Sequence, residues 1–348
     1  MKKLFSFDWV LVLAVLVLLI FGLAMIGSTA PELFRHQLLF SFFGLILFFL
    51  FGRIDYHFYE KLSLWFFIGS LFFLMTPFLF GTVARGSLRW VQIGSLGFQP
   101  SELVKPFLII FIASRQTFFQ GAFLGLPILL IFLQPDLGGA LVMFLAWLGV
   151  IFATGISWRF FVLGFAALIL FFPLGWGILE DYQQQRIYSF LNPSSDPLGA
   201  GYNLIQAKVG VGSGQFLGRG WGRGTQSHLE FLPERHTDFI FASLAEELGF
   251  LGAAVLIFVF ALLLWRILKA AQEAPDFFGR LIALGIFTIL TVQILINIGM
   301  NLGMIPITGL TLPLISYGGS SLVATMISLG IVVNIAVIGH TRQTIEIR

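Results

Sequence analysis

The chain has 348 residues, 58% of them hydrophobic and 16% aromatic but only 11% charged, less than half the roughly 25% charged share of a soluble domain. With a mean hydropathy of +0.95 it reads as a polytopic membrane protein. A formal net charge of +3 without any polybasic run, and the absence of cysteine, exclude a nucleic-acid binder, a disulfide framework, a thiol nucleophile and a thiolate metal site.

In chain order, Lys2 and Lys3 precede a first apolar run, Trp9 to Ile26. That run exceeds the roughly 7–15-residue core of a signal peptide, so it is expected to stay as a first span with the amino terminus in the cytoplasm. Further apolar runs place spans at about 9–27, 37–52, 62–80, 102–118, 121–135, 138–155, 159–177, 239–267, 280–303 and 313–339. The expected fold is therefore all-α: a single integral membrane domain over 1–348, a bundle of about ten transmembrane helices, with both termini cytoplasmic. The stretch 121–155 reads either as one long helix or as two short ones broken at Gln134, Pro135 and Asp136. Two spans return Arg159, Arg266, Lys269, Arg280, Arg342 and Arg348 to the cytoplasmic side, as the positive-inside rule asks.

Even so, the 20 lysines and arginines divide almost evenly between the two sides. Outer positive charge gathers around Arg85, Arg89 and Lys105 and in a long extracytoplasmic loop between spans seven and eight, 178–238, with Arg186, Lys208, Arg219, Arg223 and Arg235. Cations on the side disfavoured by topology point to an anionic ligand. A loop of that length is usually functional or disordered. Tyr182, Tyr188, Phe190, Tyr202, Phe216 and Trp221 argue for order, and Tyr202 to Val211 can form a short amphipathic helix at the interface.

The stretch LEFLPERHTDFIFASLAEELG, Leu229 to Gly249, crosses from this loop into an apolar helix and sets Glu230, Glu234, Arg235, His236, Thr237 and Asp238 at the water–lipid boundary. A carboxylate there has a tunable proton affinity and suits a general base; Asp238 is the residue expected to serve. The competing reading is that Thr237 or Asp238 only caps the eighth span. Farther along, Glu246 and Glu247 point to different helix faces, so at least one must face protein or a wet cavity, most simply as an interhelix hydrogen bond. In Gln99-Pro100-Ser101-Glu102-Leu103-Val104-Lys105-Pro106, Glu102 and Lys105 can pair on a helix start, structurally or with Lys105 meeting a phosphate. Pro106 is expected to loosen that turn.

Asp136 in QPDLGG is a third outer acid. Arg186 in DYQQQR is a candidate for diphosphate through its planar fork, against the plainer reading of a solvated surface arginine. Asn297 and Asn301 can bond between helices without any ligand. Pro306, Gly309, Pro313, Ser316 and Tyr317 through Ser321 give the start of the tenth span an irregular backbone, tolerated at membrane depth chiefly where it lines a cavity or packs in protein. The five histidines have no ligand spacing, and no metal ligand set is identified; a carboxylate-and-water magnesium site leaves no mark in a sequence.

At FQPSELVKP, QPDLG, the run DYQQQRIYSFLNPSSDPLGAGYNLIQAKVGVGSG, GWGRGTQSHLEFLPERHTDFIFASLAEELG and PLISYGGSS, the chain resembles the SEDS family of cell-wall polymerases, and its rod-shape branch in particular, over nearly its whole length. The resemblance implies a ten-helix glycosyltransferase of the bacterial cytoplasmic membrane that polymerises lipid II into glycan strands for cell elongation. It also implies partnership with a class B penicillin-binding protein and other membrane proteins of the elongation machinery. Asp238 matches the family's essential aspartate, and Glu102 and Lys105 its polar pair in the fourth helix.

The expected chemistry is that Asp238 deprotonates the acceptor sugar's 4-hydroxyl, which displaces undecaprenyl diphosphate from the donor with inversion. Gln99, Ser101, Glu102, Lys105, Arg186, His236, Thr237 and Ser316 are expected to bind substrate, with no cofactor beyond a divalent cation, magnesium or manganese, at the diphosphate. The rival is a lipid-precursor flippase or transporter. That class predicts charges through the membrane's depth and inverted repeats, whereas here the charges cluster on one side and no repeat is visible.

Overall fold

The computed structural model describes residues 8–84, 87–94, 96–115, 122–159, 181–195, 199, 201–229 and 231–346, with 162–164, 166, 170 and 177. Most of the expected seventh span, Arg85 and Glu230 lie outside the described residues. The fold is mostly helical. Six helices among the described residues are long and apolar enough to cross a membrane: α1 (Trp9–Thr29), α2 (Phe34–Arg53), α3 (Tyr56–Phe80), α9 (Ile240–Gln272), α10 (Phe277–Asn301) and α11 (Gly319–Glu346). Shorter helices are α4 (Lys105–Arg115), α5 (Gly125–Leu133), α6 (Leu137–Ala153), α7 (Asp181–Leu191) and α8 (Tyr202–Ser213).

Local chemistry fixes the breaks. Asp8 caps α1 by accepting from Leu11 N at 3.2 Å, and Asp136 caps α6 by accepting from Gly139 N at 3.0 Å, each satisfying an amide that the first turn cannot. Gln134-Pro135-Asp136 thus separates α5 from α6. Where one span was expected over 102–118, a single turn Pro100–Leu103 gives way at Val104 to α4, since Pro106 has no N–H to continue the ladder.

A feature absent from the all-α expectation is a three-stranded antiparallel sheet, β1 (Thr82–Ala84), β2 (Ser87–Ile93) and β3 (Leu96–Phe98), in the order β1-β2-β3. Thr82 faces Trp90, and Val91 faces Phe98. The central strand carries Arg89 in the part that pairs with β1, just before the part that pairs with β3.

Helix α11 is the most enclosed, 83% of its apolar window being buried against 22% for α2; it packs on α2, while α9 packs on α1 and α10, and α10 on α6. Helix α8 buries Leu204, Ala207 and Gly210 against α9 and α10, so the segment expected at the membrane interface docks on the bundle. Helix α9 is kinked at Gly249, whose φ is 66°. Between α10 and α11 runs an irregular segment, 302–318, and it is against this segment that the start of α9 is fastened.

Candidate active site

Three consecutive backbone carbonyls fix the turn that leads into α9. His236 O accepts from Tyr317 N at 2.8 Å, Thr237 O from Ser316 Oγ at 2.6 Å, and Asp238 O from both Asn297 Nδ2 at 3.1 Å and Asn301 Nδ2 at 3.0 Å. The donors are themselves held. Ser316 Oγ accepts from Leu312 N, Asn297 Nδ2 also donates to Leu310 O, and Asn301 Oδ1 accepts from Ala242 N. Asn297 and Asn301 are completely buried, where an unmet polar group costs about 1–3 kcal/mol, so this backbone has little freedom.

The N-cap position of α9 falls on Phe239 and has no side-chain cap bond. The Thr237 hydroxyl turns back to Glu234 Oε2 at 2.9 Å. Asp238 is half-buried, and its side chain looks toward Gly309: a Cβ built on that glycine would lie 3.5 Å from Asp238 Oδ2 and 3.8 Å from Arg89 Nη2. The positive φ of 75° at Gly309 is one that L side chains adopt only with strain. An acid from the start of α9 and a guanidinium from β2 thus converge over a bare stretch of backbone.

On the far side of Arg89 stands Asp136, 3% exposed. Its Oδ1 is 3.7 Å from Arg89 Nη1, while its Oδ2 accepts from Ser101 Oγ at 2.8 Å and Gln99 Nε2 at 3.0 Å. Gln99 N donates to Ser320 Oγ at 3.0 Å, which joins this cluster to the start of α11. Glu102 and Lys105 form a buried pair at 2.6 Å, with side chains 8% and 4% exposed. Such a pair adds little net stability, but removing one partner strands the other charge.

Of the residues expected from sequence, His236, Thr237, Asp238 and Ser316 therefore meet in one bonded unit, Gln99 and Ser101 meet at Asp136, and Glu102 meets Lys105. Arg186 is half-buried on α7, which packs on the turn Pro193–Ser195. Sequence reasoning grouped Arg89 only with general outer charge and gave Gly309 no role beyond an irregular backbone. No local signal marks either, because their meeting with Asp238 is tertiary.

Glu246 and Glu247 are both fully buried and both hold the Gly-rich part of the loop. Glu246 accepts from Gln226 N at 3.0 Å and Thr225 Oγ1 at 3.1 Å. Glu247 accepts from Gly222 N at 3.0 Å and Ser28 Oγ at 2.7 Å, with His228 Nε2 at 3.3 Å. Around the kink, Phe250 N donates to Gln215 O, and Arg219 N to Glu246 O. Arg235 Nε donates to Thr29 O at the end of α1, and α1 borders an apolar groove of about 570 Å³ lined by Ile20, Leu23, Ala24, Gly27, Pro31, Phe34 and Trp221, a shape and chemistry suited to a hydrocarbon chain. Among the described residues no group of three or more His, Cys, Asp or Glu is arranged to hold a metal ion.

Comparison with known proteins gives this arrangement a context. The model of the cell cycle protein family FtsW/RodA/SpoVE matches residues 3–341. The peptidoglycan glycosyltransferase MrdB of Escherichia coli K12 is 39% identical over 97% of this chain and 94% of its own length. Stage V sporulation protein E of Bacillus subtilis is 37% identical over 94% and 96%. Among solved structures, a chain of a peptidoglycan synthase complex, described for its structural coordination of polymerization and crosslinking, superposes with a TM-score of 0.84 at 34% identity, covering 95% of this chain and 98% of that one. The rod shape determining protein RodA of Thermus thermophilus superposes at 0.73 with 32% identity, covering 95% and 97%.

Proposed function

Because the chain belongs to the FtsW/RodA/SpoVE family, we infer that it is a peptidoglycan glycosyltransferase, as its relative MrdB is named, and that it polymerises lipid II into glycan strands. The observation that carries the reading to this chain's own residues is the clamping of His236, Thr237 and Asp238 by their backbone carbonyls. A catalytic carboxylate gains from a fixed position more than from flexibility, and these bonds hold the main chain without using the carboxylate.

In this reading Asp238 is the general base. It takes the proton from the acceptor sugar's 4-hydroxyl as that oxygen attacks the donor's anomeric carbon; the bond from that carbon to the diphosphate breaks, and its electron pair leaves with undecaprenyl diphosphate. Attack opposite the leaving group inverts the configuration. Gln99, Ser101, Glu102, Lys105, Arg186, His236, Thr237 and Ser316 bind or frame the substrates, and the apolar groove beside α1 is suited to one of their polyprenyl tails. A magnesium or manganese ion would add positive charge beside the diphosphate, and of the acids at this site the half-buried Asp238, rather than the buried Glu102 or Asp136, would be open to it.

The same reading gives the chain ten spans in the bacterial cytoplasmic membrane, with both termini inside and the 178–238 loop outside, from the charge distribution already described. Its partners are a crosslinking class B penicillin-binding protein and other membrane proteins of cell elongation. Support comes from the related chain found in a complex that coordinates polymerization with crosslinking. The experiment is to supply the purified protein with lipid II alone and resolve the products by gel. Glycan ladders are expected in the absence of any moenomycin-sensitive polymerase; lipid II flipping in sealed vesicles without ladders would return the assignment to a flippase.

A further inference from the structure

We propose that Arg89 is the residue that grips the donor's diphosphate, making a leaving-group site opposite Asp238; this rests on the glycosyltransferase reading of the Asp238 site. Arg89 stands on the central strand of the small sheet, with its side chain only 14% exposed, so its ordering cost is met by the fold before substrate arrives. Its guanidinium is not used up by its neighbours. The contact to Asp136, 3.7 Å from Nη1 to Oδ1, is too long for a hydrogen bond, and the Asp136 oxygens are already occupied by Gly139 N, Ser101 Oγ and Gln99 Nε2. Arg89 Nε is buried without a hydrogen-bond partner. A buried donor left unmet is costly, and on a planar fork it suits a phosphate that accepts two parallel bonds.

Two of the other cations are committed elsewhere. Lys105 gives a 2.6 Å bond to Glu102 in a nearly closed pocket, and Arg235 Nε donates to Thr29 O. Geometry completes the case. The point over Gly309 lies 3.5 Å from Asp238 Oδ2 and 3.8 Å from Arg89 Nη2, so acid and cation are at most about 7 Å apart, the sum of those distances. In an inverting displacement the group that activates the nucleophile and the group that receives the leaving charge act on one carbon, and a separation within that bound lets both reach one bound donor. Asp238 takes the alcohol's proton; Arg89 receives the negative charge that develops on the diphosphate as the anomeric carbon–oxygen bond breaks.

The test measures binding of undecaprenyl diphosphate and of undecaprenyl monophosphate to the purified full chain, in the wild type, Arg89→Gln, Arg89→Lys and Asp238→Asn. The wild type is expected to prefer the diphosphate. Arg89→Gln should weaken diphosphate binding about tenfold or more, which is about 1.4 kcal/mol, and monophosphate binding less. Arg89→Lys keeps the charge facing Asp136 but lacks the fork, so it should fold and still lose most of the preference for diphosphate; it carries the test alone if Arg89→Gln does not fold. Diphosphate binding by Arg89→Lys with wild-type affinity and preference would overturn the proposal. Asp238→Asn should bind the diphosphate at least as tightly as the wild type. If it also polymerises lipid II, the base assignment fails while the Arg89 result stands on its own.

Discussion

The side-chain amide of Asn301 donates to the backbone carbonyl of Asp238 across 3.0 Å while its oxygen accepts from Ala242 N at the same distance. One buried residue on α10 thereby fixes both the turn bearing the candidate base and the first turn of the helix behind it. Asn301→Ala strips the acceptor from Ala242 N and leaves Asp238 O to Asn297 alone. The expected loss is about 1–3 kcal/mol of stability, with a fall in polymerisation measured at a temperature where the variant is still folded. Asn301→Asp keeps the acceptor for Ala242 but sets a carboxylate against a carbonyl, and should lose more activity. Wild-type melting and rates in both variants would mean that the clamp does not matter.

The kink in α9 makes a second expectation. Gly249 has a φ of 66°, and a Cβ there would overlap Gly218 N and Phe216 O, so Gly249→Ala both strains the backbone and pushes the Gly-rich loop off the helix. Limited proteolysis should then cut faster within 214–229, and activity should drop sharply. Gly69→Ala is the control, since nothing lies within 4 Å of a Cβ at that position; its cleavage pattern should match the wild type.

At the other end of α9, Arg266 reaches Asp8 through Nε at 2.8 Å and Nη2 at 2.5 Å, and the Asp8 side chain is only 3% exposed. Arg266→Ala should cost about 3–5 kcal/mol by stranding a buried carboxylate. Adding Asp8→Asn removes that charge while keeping a side chain able to cap α1, so the double variant should recover a substantial part of the loss in thermal unfolding. No recovery would assign the cost to packing around the arginine stem.

Much of this architecture can be read from the amino acids, because twenty-residue apolar runs declare themselves through burial in lipid. So can the location of Asp238, which stands where polar sequence turns apolar. Others are illegible for a physical reason. Strand β2, Ser-Leu-Arg-Trp-Val-Gln-Ile, lacks a clean alternation of polar and apolar residues, so period-two reasoning passes over it. Glu246 and Glu247 are adjacent acids whose partners, Gln226, Thr225, Gly222 and Ser28, are distant or featureless in sequence. Burial and helix angle said that at least one must face protein; only the folded loop says that both do. Arg89 and Asp238 are brought together over Gly309 by three elements 89, 238 and 309 residues into the chain, a proximity that no spacing encodes.

The central claim is that the Asp238 carboxylate activates the acceptor alcohol, and the most direct measurement is lipid II polymerisation by purified Asp238→Asn beside its melting temperature. The amide has nearly the same shape, and the bonds to the Asp238 carbonyl come from Asn297 and Asn301, so folding should be unchanged. The rate should fall at least about 100-fold, the contribution expected of a general base. Glycan strands made at near wild-type rate by a folded Asp238→Asn protein would contradict the account.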